Sequence, residues 1–169
     1  YSSIDVDYIV PGAPQMPYTK VGISYYDATQ KSLMYAQTLN PAGGWAEWTT
    51  QEVDDSTNPD NVRGTYSSMK FNSAHKPIIA YHYETYDLPG MGDFGGVKIA
   101  TFNSSASGSG CFGEDAEDWD CETIDSMNDH VNHGTHVSLD LTGDDTVHIA
   151  FYDSFNSQLV WTSYWGFGG

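Results

Sequence analysis

The chain has 169 residues, with 23 acidic against 6 basic side chains and a formal net charge of -17. A surface of that sign repels a nucleic-acid backbone or an anionic membrane, and no stretch approaches the roughly 20 apolar residues that cross a bilayer. The length suits one domain, and 12 Tyr and 5 Trp among many Gly, Ser, Thr and Asp residues point to a β-rich protein with loops that meet water, cations, sugars or other proteins.

The acidic excess fits either a saline habitat or a cation-binding role. The sequence opens on Tyr1 rather than Met, which suits a processed chain exported to an extracellular, cell-surface or periplasmic location.

The first predicted element is a strand over residues 1–6, where Tyr1-Ser2-Ser3-Ile4-Asp5-Val6 alternates polar and apolar side chains. A second strand follows at Ile23-Ser24-Tyr25-Tyr26-Asp27, with a small residue in its second position, which predicts burial on both faces. Six residues after Asp27 comes Leu33, opening a third strand over Leu33-Met34-Tyr35-Ala36. The spacing predicts a tight hairpin whose turn amides are bonded by the Asp27 carboxylate. Trp48 opens a fourth strand that ends at Val53-Asp54.

The same four phrases then recur. Tyr66-Ser67-Ser68-Met69-Lys70-Phe71 parallels residues 1–6, Ile79-Ala80-Tyr81-His82-Tyr83 parallels the second strand, Val97-Lys98-Ile99-Ala100 the third, and residues 119–125, again opened by a tryptophan, the fourth. Between the second and third phrases lies an inserted stretch, ETYDLPGMGDFGG, expected as a long loop. A third copy runs through residues 136–141, 149–153 and 159–162, with Asp153 and Leu159 repeating the spacing of Asp27 and Leu33. It has no fourth strand.

Units of about 1–59, 60–128 and 129–169 follow within a single domain spanning residues 1–169. No segment carries a helical period with capping signals, so the fold class is all-β. Without its insertions each unit holds roughly four strands in about 45 to 50 residues, the size of a propeller blade.

These phrases resemble the degenerate blade repeat of secreted bacterial β-propellers, some of them lectin-like. The resemblance is architectural. It implies four-stranded antiparallel blades, about three in this chain and the last lacking its outer strand, within a ring that ordinarily closes at six to eight. An open arc implies completion by a second copy, by other blade-containing chains or by more of the same polypeptide.

Several residue groups are candidate sites. Asp129, His130, His133 and His136 carry ligand types suited to a transition metal, but their place opposite residues 60–66 makes an ordinary entry into a blade the better reading. Glu114, Asp115, Asp118 and Asp120 offer oxygen ligands for calcium without the order of a known calcium loop, and a solvated acidic loop is the other reading. That loop lies between Cys111 and Cys121, whose spacing suits a disulfide better than a redox or zinc motif. Asn103-Ser104-Ser105 is a formal glycosylation sequon.

Trp48, Trp119 and Trp161 sit at recurring positions and are expected in the core. Tyr8, Tyr86 and Trp165 fall outside them and are expected to contact a ligand or partner.

No nucleophile elbow, phosphate loop, dinucleotide fingerprint, H-E-x-x-H or haem-attachment motif occurs. The expected function is therefore a non-enzymatic binding or assembly module needing no cofactor. A glycan-binding propeller and a metal-dependent enzyme with a loop-borne site are the alternatives.

Overall fold

The computed structural model describes residues 1–10, 12, 17–40, 47–56, 58–88, 92–103, 108–128 and 133–164. It is all-β, and its strands form three separate antiparallel sheets, each threaded in chain order. The first holds β1 (Ser2–Ile9), β2 (Tyr18–Asp27), β3 (Ser32–Thr38) and β4 (Thr49–Asp54). The second holds β5 (Val62–Phe71), β6 (Pro77–Leu88), β7 (Gly92–Phe102) and β8 (Trp119–Asn128). The third holds β9 (His133–Leu141), β10 (Val147–Asp153) and β11 (Gln158–Tyr164). A 3-10 turn lies at Ala116–Asp118, and among the described residues no helix is long and apolar enough to cross a membrane.

Local chemistry accounts for the turns. Asp27 Oδ1 accepts from the Thr29 and Gln30 amides at 2.7 and 3.2 Å, and Asp153 Oδ1 accepts from Phe155 and Asn156 at 3.0 and 3.2 Å. Each carboxylate thereby satisfies donors that a tight turn leaves unpaired. Both hairpins close on a residue of positive φ, Lys31 and Ser157.

The stretch expected as a long loop is mostly strand. β6 runs to Leu88 and β7 begins at Gly92, with Glu84 opposite Gly95 and Thr85 opposite Phe94. The small residues there admit close strand pairing, so the glycines that read as loop signals serve a ladder.

The sheets pack face to face in chain order. The β2–β4 face of the first sheet supplies Leu33, Tyr35 and Val53, and the second sheet meets them with Met69, Ile79, Tyr81, Ala100 and Trp119. The opposite face of the second sheet offers Ile78, Ala80, Val97 and Ile99 to Val137, Leu139, Val147, Ile149 and Phe151 of the third. Among the described residues, only the middle sheet is covered on both sides.

That placement corrects the expectation that every second strand is buried on both faces. β6 is buried from Pro77 through Tyr83, whereas Tyr152 of β10 and the flanks of β2 remain partly or fully exposed.

Side chains also tie each leading strand to the next. Ser3 Oγ accepts from the Met69 amide (3.1 Å), Asp5 Oδ2 from the Phe71 amide (2.8 Å), and Ser68 Oγ from the Leu139 amide (3.0 Å). These acceptors satisfy backbone donors on the free edges of β5 and β9, which would otherwise lie partly buried without partners.

Close approach at the entry of β5 and β9 depends on glycine. Gly64 has φ +96 and Gly134 φ +84, and a Cβ on Gly64 would lie 2.6 Å from Leu33 Cα. Two residues later, Tyr66 and His136 also have positive φ, and the ladders to β6 and β10 shift register there. The resulting bulges press the start of each leading strand against the sheet before it.

Candidate assembly interface

The two outermost sheet faces carry the positions that are buried elsewhere in the molecule. In β3, Leu33 pairs with Tyr26 and Tyr35 with Ser24; in β7, Val97 pairs with His82 and Ile99 with Ala80; in β11, Leu159 pairs with Tyr152 and Trp161 with Ala150. The register is the same in all three. Leu33 and Tyr35 are 0 and 1% exposed, Val97 and Ile99 likewise 0 and 1%, but Leu159 and Trp161 are 75 and 64% exposed.

The opposite end shows the reverse face. Ile4, Met69 and Leu139 pair in register with Ile23, Ile79 and Ile149. Met69 and Leu139 are 1 and 4% exposed because a sheet precedes each of them, while Ile4 is 63% exposed, with Val6 and Tyr8 open on the same side of β1.

Large apolar side chains gathered on one sheet face and left in water mark a contact surface more often than chance exposure. Trp161 thus departs from the core position expected for it. Its register matches that of buried residues, and it is exposed because, among the described residues, no sheet lies over β11. Trp119, by contrast, is fully buried beside Tyr35 and Phe102, and Trp48 is half-buried.

Buried charge staples the internal junctions. Asp54, at the end of β4, is fully buried and accepts from Tyr81 Oη (2.6 Å) and Lys98 Nζ (2.8 Å) through Oδ2, and from the Phe112 amide (3.0 Å) through Oδ1. Arg63 Nε stands 3.8 Å away. Burial, and then the adjacent Asp54 charge, pushes the Tyr81 hydroxyl pKa well above its ordinary value.

At the next junction His133 takes the corresponding place. It is buried, with Nε2 3.2 Å from Asp125 Oδ2 and Nδ1 3.2 Å from Asp153 Oδ1. Hydrogen bonds from Asn156, ahead of the His133 contact, hold the Asp153 carboxyl down to about 2.

The sequence-derived candidates are distributed as follows. Tyr8 is exposed on the outer face of β1, and Tyr86 is half-buried, its hydroxyl donating to Glu84. Trp165, Asp129 and His130 lie outside the described residues. His136 does not join His133; its ring lies tilted at 4.7 Å from Tyr66, which itself lies 4.0 Å from Tyr1. These three rings form a row across the starts of the leading strands, and hydrogen bonding to Tyr1 followed by burial pushes Tyr66 up to about 12.

Asp115, Asp118 and Asp120 bond to the Glu52 amide, Gln51 Nε2 and Ser109 respectively, and the Glu114 amide donates to Glu52. Their carboxylates therefore pin the loop against β4 and β8. Among the described residues no three His, Cys, Asp or Glu side chains are grouped to hold a metal ion. Cys111 and Cys121 are joined in a disulfide next to the Phe112 amide that donates to Asp54.

A cleft of about 740 Å³ opens at the ends of β1 to β3, lined by Tyr18, Lys20, Gln37, Asn40, Glu47 and His75 among others. Ile9 and Leu39 share its lining with these polar side chains.

Sequence reasoning found Asp54 only as a strand ending and missed its three-way pairing. A lysine inside the otherwise apolar Val97-Lys98-Ile99 was the available signal, since a lysine is rarely buried without a carboxylate. No family model, no curated protein and no solved structure matches the chain.

Proposed function

We propose that the chain is a non-enzymatic extracellular or periplasmic module of β-propeller type, and that it works by assembly, further sheets stacking onto its two open faces. The observation that carries this reading is the contrast at matched register, where Leu159 and Trp161 stand in water while Leu33, Tyr35, Val97 and Ile99 are buried. Covering one Leu or Trp of this kind is worth roughly 1.5 to 3 kcal/mol. The disulfide supports an oxidising compartment, and the three successive meanders support their reading as blades.

The test is a native mass measurement over a concentration series, made on the wild type and on a variant with both faces disrupted, Ile4→Lys with Trp161→Lys. A wild type heavier than 18.6 kDa and a monomeric variant support the reading. A wild type that stays at the monomer mass throughout overturns it.

A glycan-binding reading is favoured by one feature, the cleft whose lining includes Tyr18, Gln37, Asn40 and Glu47. An aromatic face flanked by amide and carboxylate groups suits a sugar ring, and glycan-array binding abolished by Tyr18→Ala is the result expected. Array binding left intact by that change excludes this cleft.

A further inference from the structure

The occupant of these faces is identifiable from the two junctions already built within the chain, and the inference rests on the assembly reading above. We infer that a second copy of this chain docks head to tail, the outer face of its β1 seating on the outer face of β9–β11. The face presented by the third sheet, formed by Ser138, Asp140, Ala150, Tyr152, Leu159 and Trp161, corresponds register for register to the faces that receive a sheet inside the molecule. The face presented by β1, formed by Ile4, Val6 and Tyr8, corresponds to the faces that are received, where Met69 and Phe71 or Leu139 and Leu141 stand.

The polar contacts continue the same series. Ser3 Oγ holds the Met69 amide and Ser68 Oγ holds the Leu139 amide, and the next serine in register, Ser138, is exposed. Its counterpart donor is the Ile4 amide of a second copy. Asp5 Oδ2 holds the Phe71 amide, and the exposed Asp140, two residues beyond Ser138, matches the Val6 amide of that copy.

Backbone donors on the free edge of β1 are thus provided with acceptors on β9 at the spacing the first junction uses. One unfavourable element travels with this register. Lys70 Nζ lies 3.9 Å from both Asp5 and Asp140, and a second copy would set its own Asp5 beside Asp140 with no lysine between. Added salt therefore strengthens the junction by screening that pair.

A head-to-tail contact uses two different patches, and this distinguishes it from a two-fold contact of one patch with itself. Ile4→Lys disables the β1 face and Trp161→Lys the β9–β11 face; both residues are exposed, so far-ultraviolet circular dichroism should match the wild type. Val6→Lys and Leu159→Lys form a second pair in case either variant misfolds.

Sedimentation velocity on each variant alone is expected to show association weakened by roughly 30-fold or more, as for the loss of a buried anchor. Mixing the two variants is expected to restore a 1:1 heterodimer, because one intact β1 face then meets one intact β9–β11 face. A single variant that still self-associates like the wild type, or a mixture that stays monomeric well above the concentration at which the wild type assembles, overturns head-to-tail docking and leaves the assembly reading standing. A wild type that is monomeric at every concentration overturns both.

Discussion

Replacing Gly64 with alanine tests how the sheets are brought into contact. A Cβ at this position would sit 2.6 Å from Leu33 Cα and 2.8 Å from Leu33 Cβ, while the backbone is held at φ +96. Leu33 is fully buried, and the nearest atom belongs to its main chain, so the neighbour cannot rotate aside. Left-handed backbone strain in a residue with a Cβ costs roughly 1 to 2 kcal/mol, and overpacking a closed interface a further 1 to 3. The reduced freedom of the unfolded chain offsets about 0.4 to 1 kcal/mol of that.

The net loss expected is therefore about 1 to 5 kcal/mol, or roughly 2 to 20 °C in Tm for a chain of this size. Gly134→Ala is expected to behave alike, since its Cβ would lie 2.7 Å from the Gly96 carbonyl carbon. Gly143→Ala is the control, with nothing within 4 Å of the added methyl, and is expected to change stability by less than about 0.5 kcal/mol. Urea denaturation of the three variants reads the differences. A Gly64→Ala variant as stable as Gly143→Ala would refute the claim that these glycines set the distance between sheets.

Four further outcomes follow from the same geometry. Lys98→Met removes a cation from the fully buried Asp54 and should cost about 3 to 5 kcal/mol in chemical denaturation, with Asp54→Leu added to Lys98→Met recovering part of the loss. Asp153 has its carboxyl held down to about 2 from 3.8, so its contribution is complete above pH 4 and is lost as pH falls through 2; Asp153→Asn should lower stability at neutral pH and flatten that acid limb in a pH series of thermal melts. Removing the disulfide by Cys111→Ser with Cys121→Ser frees a loop spanning 10 positions and should cost roughly 3 kcal/mol, read by urea midpoint. Raising the salt concentration should tighten self-association of the chain, read by sedimentation, since its charge of -17 opposes contact.

Much of the architecture was legible because it is written in local signals. Alternation in residues 1–6, the small residue after Ile23, Ile79 and Ile149, and the carboxylates of Asp27 and Asp153 each act within a few residues, and strands and turns followed from them. What was not legible depends on distant chain. Lys98 looks misplaced in a strand until Asp54, 44 positions away, is set against it. Trp161 occupies a register whose equivalents are buried, and only the absence of a covering sheet puts it in water. The glycines of β7 read as loop because glycine favours turns, yet Gly95 and Gly96 lie in a buried ladder opposite Glu84 and Tyr83. His133 carried a metal signal in sequence, while its ring is set between two carboxylates from neighbouring sheets.

The acidic surface and the open apolar faces make sense together. A stack of sheets with exposed ends is liable to collect any apolar surface it meets, and Ile4, Val6, Tyr8, Leu159 and Trp161 would do so in a neutral protein. A charge of -17 raises the cost of every encounter between two copies, whatever their orientation, by several like-charge terms that act over about a Debye length. Under the proposed docking, the contact that overcomes it is one that buries both faces in register and supplies acceptors to the edge of β1. Ser138 and Asp140 provide those acceptors on one side alone, so β1 faces docking on each other would bring neither. On the proposed head-to-tail docking, the charge suppresses indiscriminate association, and the side-chain acceptors favour the one orientation already built twice inside the chain.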